Sequence, residues 1–443
     1  MPPIGRKPWK VAVNPWRVTI LATMQQTAAP NTKRRLTQAE VDQVCAKHDR
    51  LFSSKPGGAR AVFAWMDLSN LNLSNKNLCD ADLSGAVLQG CKLRGARLDN
   101  ATLFGADLQD TDLTDASMRR SDLRGACLRN ANLTGADLFE ADLREGVLAA
   151  ADARLGYRKL EAGGAARQGD VQGARLVGAN LERSKLSGVM AVKADFTDAV
   201  LKDARLVRAN LKQCSLKGAD LSGADLSGAD LAGADMRDVV LVGARTTSWN
   251  VMDANMAGAL TDKRAGKDAD ILPYQTMIRD HARWCETGGE QGKPSVFDNA
   301  DLRNLESVRG YNLTALSAKT AVFYGLDMEG VQLQGAHLEG ADLRNCNLRR
   351  ADLRGAKLKG AKLSGSDLRE AQMGPLLLGA DRVLPCDMTA AELKNADLTG
   401  ADLRQAMFVG ADVSRANFTG ALLRQANFTD VFRQGARGLD DAI

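Results

Sequence analysis

A leucine returns at every fifth residue along the stretch 77–108: Leu78, Leu83, Leu88, Leu93, Leu98, Leu103 and Leu108. Two residues before each there is usually a small residue, as at Ala81, Ala86, Cys91, Ala96, Ala101 and Ala106. The residue between is often Asp or Asn, and Gly often follows two after the Leu. No regular element accommodates this rhythm. Five steps around an α-helix turn a side chain through about 500°, so the leucines would walk around the axis. Five steps along a flat strand is an odd number, so they would alternate between faces. A bend in every unit removes the conflict, because each short segment can then point its Leu inward. The small residue is inward as well, since strand side chains have period two. The residue between points outward and is free to be charged. Gly relaxes the backbone at the corner. The chain is expected to wind around a dry core, with successive turns about 4.8 Å apart.

The unit resembles that of the pentapeptide repeat family, written A-[DN]-L-x-x. It reads Ala-Asp-Leu-Ser-Gly from Ala81, and again from Ala219 and Ala224. The resemblance implies an all-β solenoid, a right-handed quadrilateral β-helix with one pentapeptide per side and four per coil. It covers roughly two thirds of the chain, in many copies.

Breaks in the rhythm suggest the organisation. Residues 1–35 read as a disordered leader. Residues 36–62 read as a helix and loop, with a capping-box pattern at Thr37 and Glu40 and one face made of Val41, Val44, Cys45, His48 and Leu51. A first β-helix module is expected over 63–256, interrupted at 149–170 by an irregular coil with an outward loop carrying Arg154, Tyr157, Arg158, Lys159 and Arg167. Residues 257–296 read as a linker and a second helix. Aligning His281 with His48 places Trp284 on Leu51, Ile278 on Cys45 and Tyr274 on Val41, which marks an internal duplication. Each helix is expected to cap a solenoid, whose open end exposes apolar side chains and unpaired backbone edges. A second module is expected over 297–433 and a frayed tail over 434–443. Within the second module, residues 374–390 keep the five-residue count without the consensus and predict a distorted coil. Phe408 and Phe428 fall one coil apart and should stack. Stacked end to end, the modules would span about 70 Å.

Chemistry is sparse in this pattern. Net charge is +5 with both signs abundant, and aromatics are 5% of residues. Interleaved aromatics for base stacking are missing, which disfavours nucleic acid. The eight cysteines form no CxxC pair, and Cys91, Cys214, Cys346 and Cys386 take the inward small-residue slot. They read as buried thiols in a reducing cytoplasm, without a metal site. No apolar run is long enough to span a membrane. His48 and His281 read as helix histidines packed on a solenoid end, with one ring nitrogen bonded to backbone. No nucleophile, base and pocket constellation points to an enzyme, and no cofactor or small-molecule substrate is expected.

The candidate partner-binding residues are therefore surface ones. Arg349, Arg350 and Arg369 should share a side, within a belt that also holds Arg344, Arg354, Lys357, Lys359 and Lys362. Phe104 and Phe139 follow a Leu in an outward slot, beside Arg124 and Arg119 by coil counting. Tyr157, Arg158 and Lys159 lie on the expected loop. The expected function is a protein-interaction scaffold or spacer with an unknown protein partner. The alternative is the role the resemblance implies for some members, a DNA mimic acting on a type II topoisomerase. Asp82, Asp122 and Asp142 share one side, but Arg and Lys interrupt the Asp rows, so mimicry is disfavoured.

Overall fold

A computed structural model describes residues 33–146, 151–152, 156–157, 167–262, 273–305, 307–379 and 382–439. The chain winds as a β-helix in which each side is a single bridge rather than a long strand. The residue before each Leu pairs in parallel with the residue 20 positions on, as in the run Asp82, Thr102, Asp122, Asp142. The Leu83 N–H donates to Thr102 O at 2.7 Å, and the Thr102 N–H donates back to Ala81 O at 2.9 Å. Each corner is closed by a turn, for example Ala86 N–H to Leu83 O at 3.0 Å. The third residue of that turn has a positive φ, +60° at Gly85, as type II turns require. Gly, Asn and Asp fill most such corners because they tolerate the left-handed region. At Gly85 space also matters. A β-carbon there would stand 2.5 Å from the Trp65 ring.

Inward slots are buried along the middle of each column and only partly so in its last coils. Leu78, Leu88 and Leu98 in the first array, and Leu343, Leu353 and Leu363 in the last, have no exposed surface. Two separate cores result, one from Leu36 to Leu241 and one from Ile278 to Leu439. Phe408 and Phe428 stack in the second at 4.7 Å with ring planes 9° apart.

Helix α1 (Gln38–Phe52) begins at the capping box of Thr37 and Glu40. Val41, Cys45 and His48 are buried against the first core, whereas Leu51 is 47% exposed. Helix α2 (Tyr274–Glu286) lacks a side-chain cap at Pro273 and buries Ile278, His281 and Ala282. The two histidines do the same work. His48 Nδ1 accepts the Ala61 N–H at 3.0 Å and His281 Nδ1 accepts the Ser295 N–H at 3.1 Å. Each thereby ties its helix to the segment leading into the first coil.

Both interruptions are insertions between adjacent rungs, and at 374–390 this corrects the expectation of a distorted coil. Cys127 pairs with Asp170, so 23 extra residues separate two adjacent rungs. They leave and return through an antiparallel bridge between Gly146 and Arg167. A short β1 (Ala151–Asp152) pairs with β2 (Gly156–Tyr157) there. Arg154, Arg158 and Lys159 lie outside the described residues, and for Tyr157 only the backbone is described. In the second array Lys357 pairs with Asp387, so ten extra residues leave as a hairpin of β3 (Leu376–Leu377) and β4 (Val383–Leu384). Leu376 and Leu384 sit over the Gly355 corner, while Leu377 and Val383 are 70% and 51% exposed.

Candidate interaction surface and the seam between the columns

The outer surface is built from one local device. In Asp-x-Arg triplets the Asp carboxylate accepts the backbone N–H two residues on and then the guanidinium of that same residue through two bonds. Asp142 with Arg144, Asp352 with Arg354, and Asp402 with Arg404 all follow this form. The backbone bond orients the carboxylate, and the planar fork of the Arg completes a bidentate pair. The Arg404 fork beside Asp402 holds that carboxyl below its ordinary range, helped by the backbone N–H. Charges that look free in the sequence are thus spent locally.

This settles where the candidate arginines sit. Arg369 pairs with Asp367 and lies 3.7 Å from Asp397. Arg350 pairs with Glu370 at 2.7 Å. Arg349 is half-buried, with its Nε buried and lacking a hydrogen-bond partner. The three do occupy adjacent rungs, since the Arg350 N–H donates to Arg369 O at 3.0 Å. Phe104 lies under Arg124 at 5.3 Å, and Phe139 lies between Arg119 at 4.6 Å and Arg183 at 5.8 Å. Both rings are half-buried. Arg119 also pairs with Asp137 at 2.6 Å, so ring and carboxylate together fix one guanidinium.

The belt around the second array is split by a contact the sequence reading missed. The two columns lie side by side and run in opposite directions. Arg303 reaches Thr261 O at 2.8 Å. Farther along, Arg344 reaches Asp238 O at 2.8 Å and Lys362 pairs with Asp238 at 2.7 Å. Asn345 donates to Asp220 at 2.7 Å, and Lys394 pairs with Asp198 at 3.0 Å. At the far end the Arg415 guanidinium lies over Gly178, where a β-carbon would come within 2.0 Å of it. Numbers rise in one column as they fall in the other. The arrangement is a hairpin of two β-helices, not the end-to-end stack of about 70 Å considered from sequence.

The seam is mostly polar. Tyr324 is half-buried, and desolvation pushes its hydroxyl up to about 12; the hydroxyl oxygen accepts the Asn345 side-chain N–H at 3.1 Å. Arg344 keeps its Asp342 partner there, with side-chain exposures of 8% and 12%. Burial would lower the Lys394 ammonium, but Asp198, together with Glu392 and Asp412, holds the value above its ordinary one. Val240, in an outward slot, is 1% exposed. The Arg415 Nη2 is buried without a hydrogen-bond partner. A cavity of about 50 Å³ remains between Asp198, Asp220, Arg344, Asn345 and Lys394, too small for an organic ligand. Among the described residues no group of His, Cys, Asp and Glu could hold a metal ion.

A family model described as Pentapeptide repeats matches residues 61–152, 170–243, 332–370 and 386–437, more than half of the chain. The chain belongs to the pentapeptide repeat family. No curated protein matches it significantly. Among solved structures this pentapeptide repeat protein is similar to HetL from the cyanobacterium Nostoc sp. strain PCC 7120, described as involved in heterocyst differentiation regulation. The identity is 21% over 86% of this chain and 93% of that one, with a TM-score of 0.18. It is also similar to full-length QnrB1, a plasmid-mediated fluoroquinolone resistance protein, at 21% identity over 46% of this chain and 91% of that one, TM-score 0.21. Rfr23 from the cyanobacterium Cyanothece 51142 is 27% identical over 32% of this chain and 88% of that one, TM-score 0.20. No helix among the described residues is long and apolar enough to cross a membrane.

Proposed function

We propose that this pentapeptide repeat protein is a non-enzymatic, cytoplasmic scaffold that offers a rigid face to a protein partner. The observation that carries the reading is the fixed spacing of outward side chains on the coils of the first array. There Arg119, Asp137 and Phe139 are held in place by one another. A ladder that fixes backbone and side chain together presents a surface with little conformational entropy left to lose on binding. Helices α1 and α2 act as caps on this reading, sealing the first coil of each module. The free, mostly buried cysteines support a reducing compartment.

Mimicry of DNA toward a type II topoisomerase needs rows of unpaired carboxylates. Here Asp142, Asp352 and Asp402 are each neutralised by the Arg two residues on, and net charge is +5. Affinity capture from the source cell tests the scaffold reading, with the native chain beside a Phe139→Ser, Arg119→Glu chain of equal helical content and melting temperature. A protein retained by the native chain and lost by the variant is expected. Identical recovery by both would refute this face. Inhibition of gyrase supercoiling at stoichiometric protein would favour the alternative.

A further inference from the structure

We infer that the seam is a reversible clasp: the two columns are self-sufficient, and charged contacts between them hold the hairpin shut. Each column has its own core, and no core residue is shared. The leucines behind the seam, such as Leu201 and Leu343, face inward and are 1% and 0% exposed, so separating the columns leaves them covered. What separation removes is a series of polar contacts, together with the packing of Tyr324 and of the outward Val240. Lys394 with Asp198 and Lys362 with Asp238 are ion pairs between columns, and Lys202 reaches Asn345 at 2.9 Å. Arg344 and Arg303 add one bond each to carbonyls of the first column. Polar interfaces between domains of one chain are the kind that open, because little apolar area is lost. The cations keep partners of their own when the seam parts. Arg344 retains Asp342, and Lys394 has Asp412 at 3.6 Å. Opening therefore leaves neither of them as an isolated charge, which is the usual penalty for breaking a buried pair. Salt weakens the contacts that cross the seam, most of all the half-exposed pair of Lys362 and Asp238, whose side chains are 29% and 40% exposed.

Small-angle X-ray scattering on the full chain, with circular dichroism on the same samples, tests the clasp. The native protein at about 0.05 M salt should have the longest dimension of two columns side by side. At about 1 M salt that dimension should increase by up to about half, toward the end-to-end length, with the dichroism unchanged. Lys394→Asp, which faces Asp198 with a like charge, should lengthen the particle at low salt. Asp198→Lys combined with Lys394→Asp should restore the compact form. A longest dimension that stays constant across salt and in Lys394→Asp would overturn the clasp. So would loss of dichroism in Lys394→Asp, because it would mean that the columns do not stand without each other.

Discussion

Two copies of one triplet, Asp342-Leu343-Arg344 and Asp402-Leu403-Arg404, occupy equivalent slots on different sides of the same column. Their local geometry is nearly the same. Both carboxylates accept the backbone N–H at 3.2 Å and the guanidinium at 2.8–2.9 and 2.6 Å. Their surroundings differ. The Arg344 side chain is 8% exposed under the first column and reaches across to Asp238 O, whereas the Arg404 side chain is 56% exposed. The triplet is therefore a device for seating an Arg on the outer wall. The neighbouring surface decides whether that Arg is structural glue or solvated ornament.

The leucine between the two charges should be blind to this difference. Leu343→Asp and Leu403→Asp each place a carboxylate in a position with no exposure. Each should cost more than about 3 kcal/mol and melt the coils around it. Unequal losses, measured by urea denaturation, would mean that the core is not continuous around the girth. The arginines should separate the two sites. Arg344→Ala leaves Asp342 buried and half-paired and should cost about 3 kcal/mol. Arg404→Ala leaves Asp402 to water and should lower the urea midpoint only slightly, far less than Arg344→Ala does.

Acid should act on the outer copy. Asp402 is held below its ordinary value of 3.8 by the Arg404 side chain first and the backbone N–H second. A depressed carboxyl contributes stability above its unfolded pKa and loses it as pH falls through the folded value. The native protein should therefore lose stability below about pH 4, and Arg404→Ala should lose less over that window. A pH titration of the melting temperature for the two chains decides this. The smallest effect concerns thiols. Burial pushes the Cys346 thiol, in the inward slot after Leu343 and Arg344, up to about 12. Cys127 sits in an outward slot and is half-buried. Ellman's reagent should reach Cys127 before Cys346, at low and at high salt. Reaction of Cys346 in high salt would mean that the column unravels instead of parting from its neighbour.

Much of this fold is readable in the sequence, for a specific reason. A five-residue rhythm assigns inward and outward slots, and counting by twenty assigns sides. That arithmetic places Phe428 on Phe408 and Arg124 on Phe104. It also explains how the two breaks read. An insertion of 23 residues shifts the rhythm by three and is visible. An insertion of ten is two whole repeats, so the register runs on and the hairpin at 376–384 passes for a distorted coil. The seam was not legible. Twenty-residue counting groups Tyr324 with Arg344 and Lys394, beyond the ten-residue excursion, but it does not say which of four sides meets the other column. The outward charges mislead for a related reason. Arg349, Arg350 and Arg369 form a cluster in sequence, yet Arg350 and Arg369 are already paired with Glu370 and Asp367. A bulky Tyr324 and an apolar Val240 in outward slots are the signals a reader could have used.

Zero-length carbodiimide cross-linking at low salt, read by peptide mass spectrometry, tests the antiparallel hairpin of columns most directly. Joined peptides should link Lys394 to Asp198 and Lys362 to Asp238, 3.0 and 2.7 Å apart across the seam. Lys212 and Asp230, 3.0 Å apart within one column, serve as the internal standard. Cross-links at the standard with none across the seam, or seam lysines joined to carboxylates in the reverse order, would contradict the arrangement.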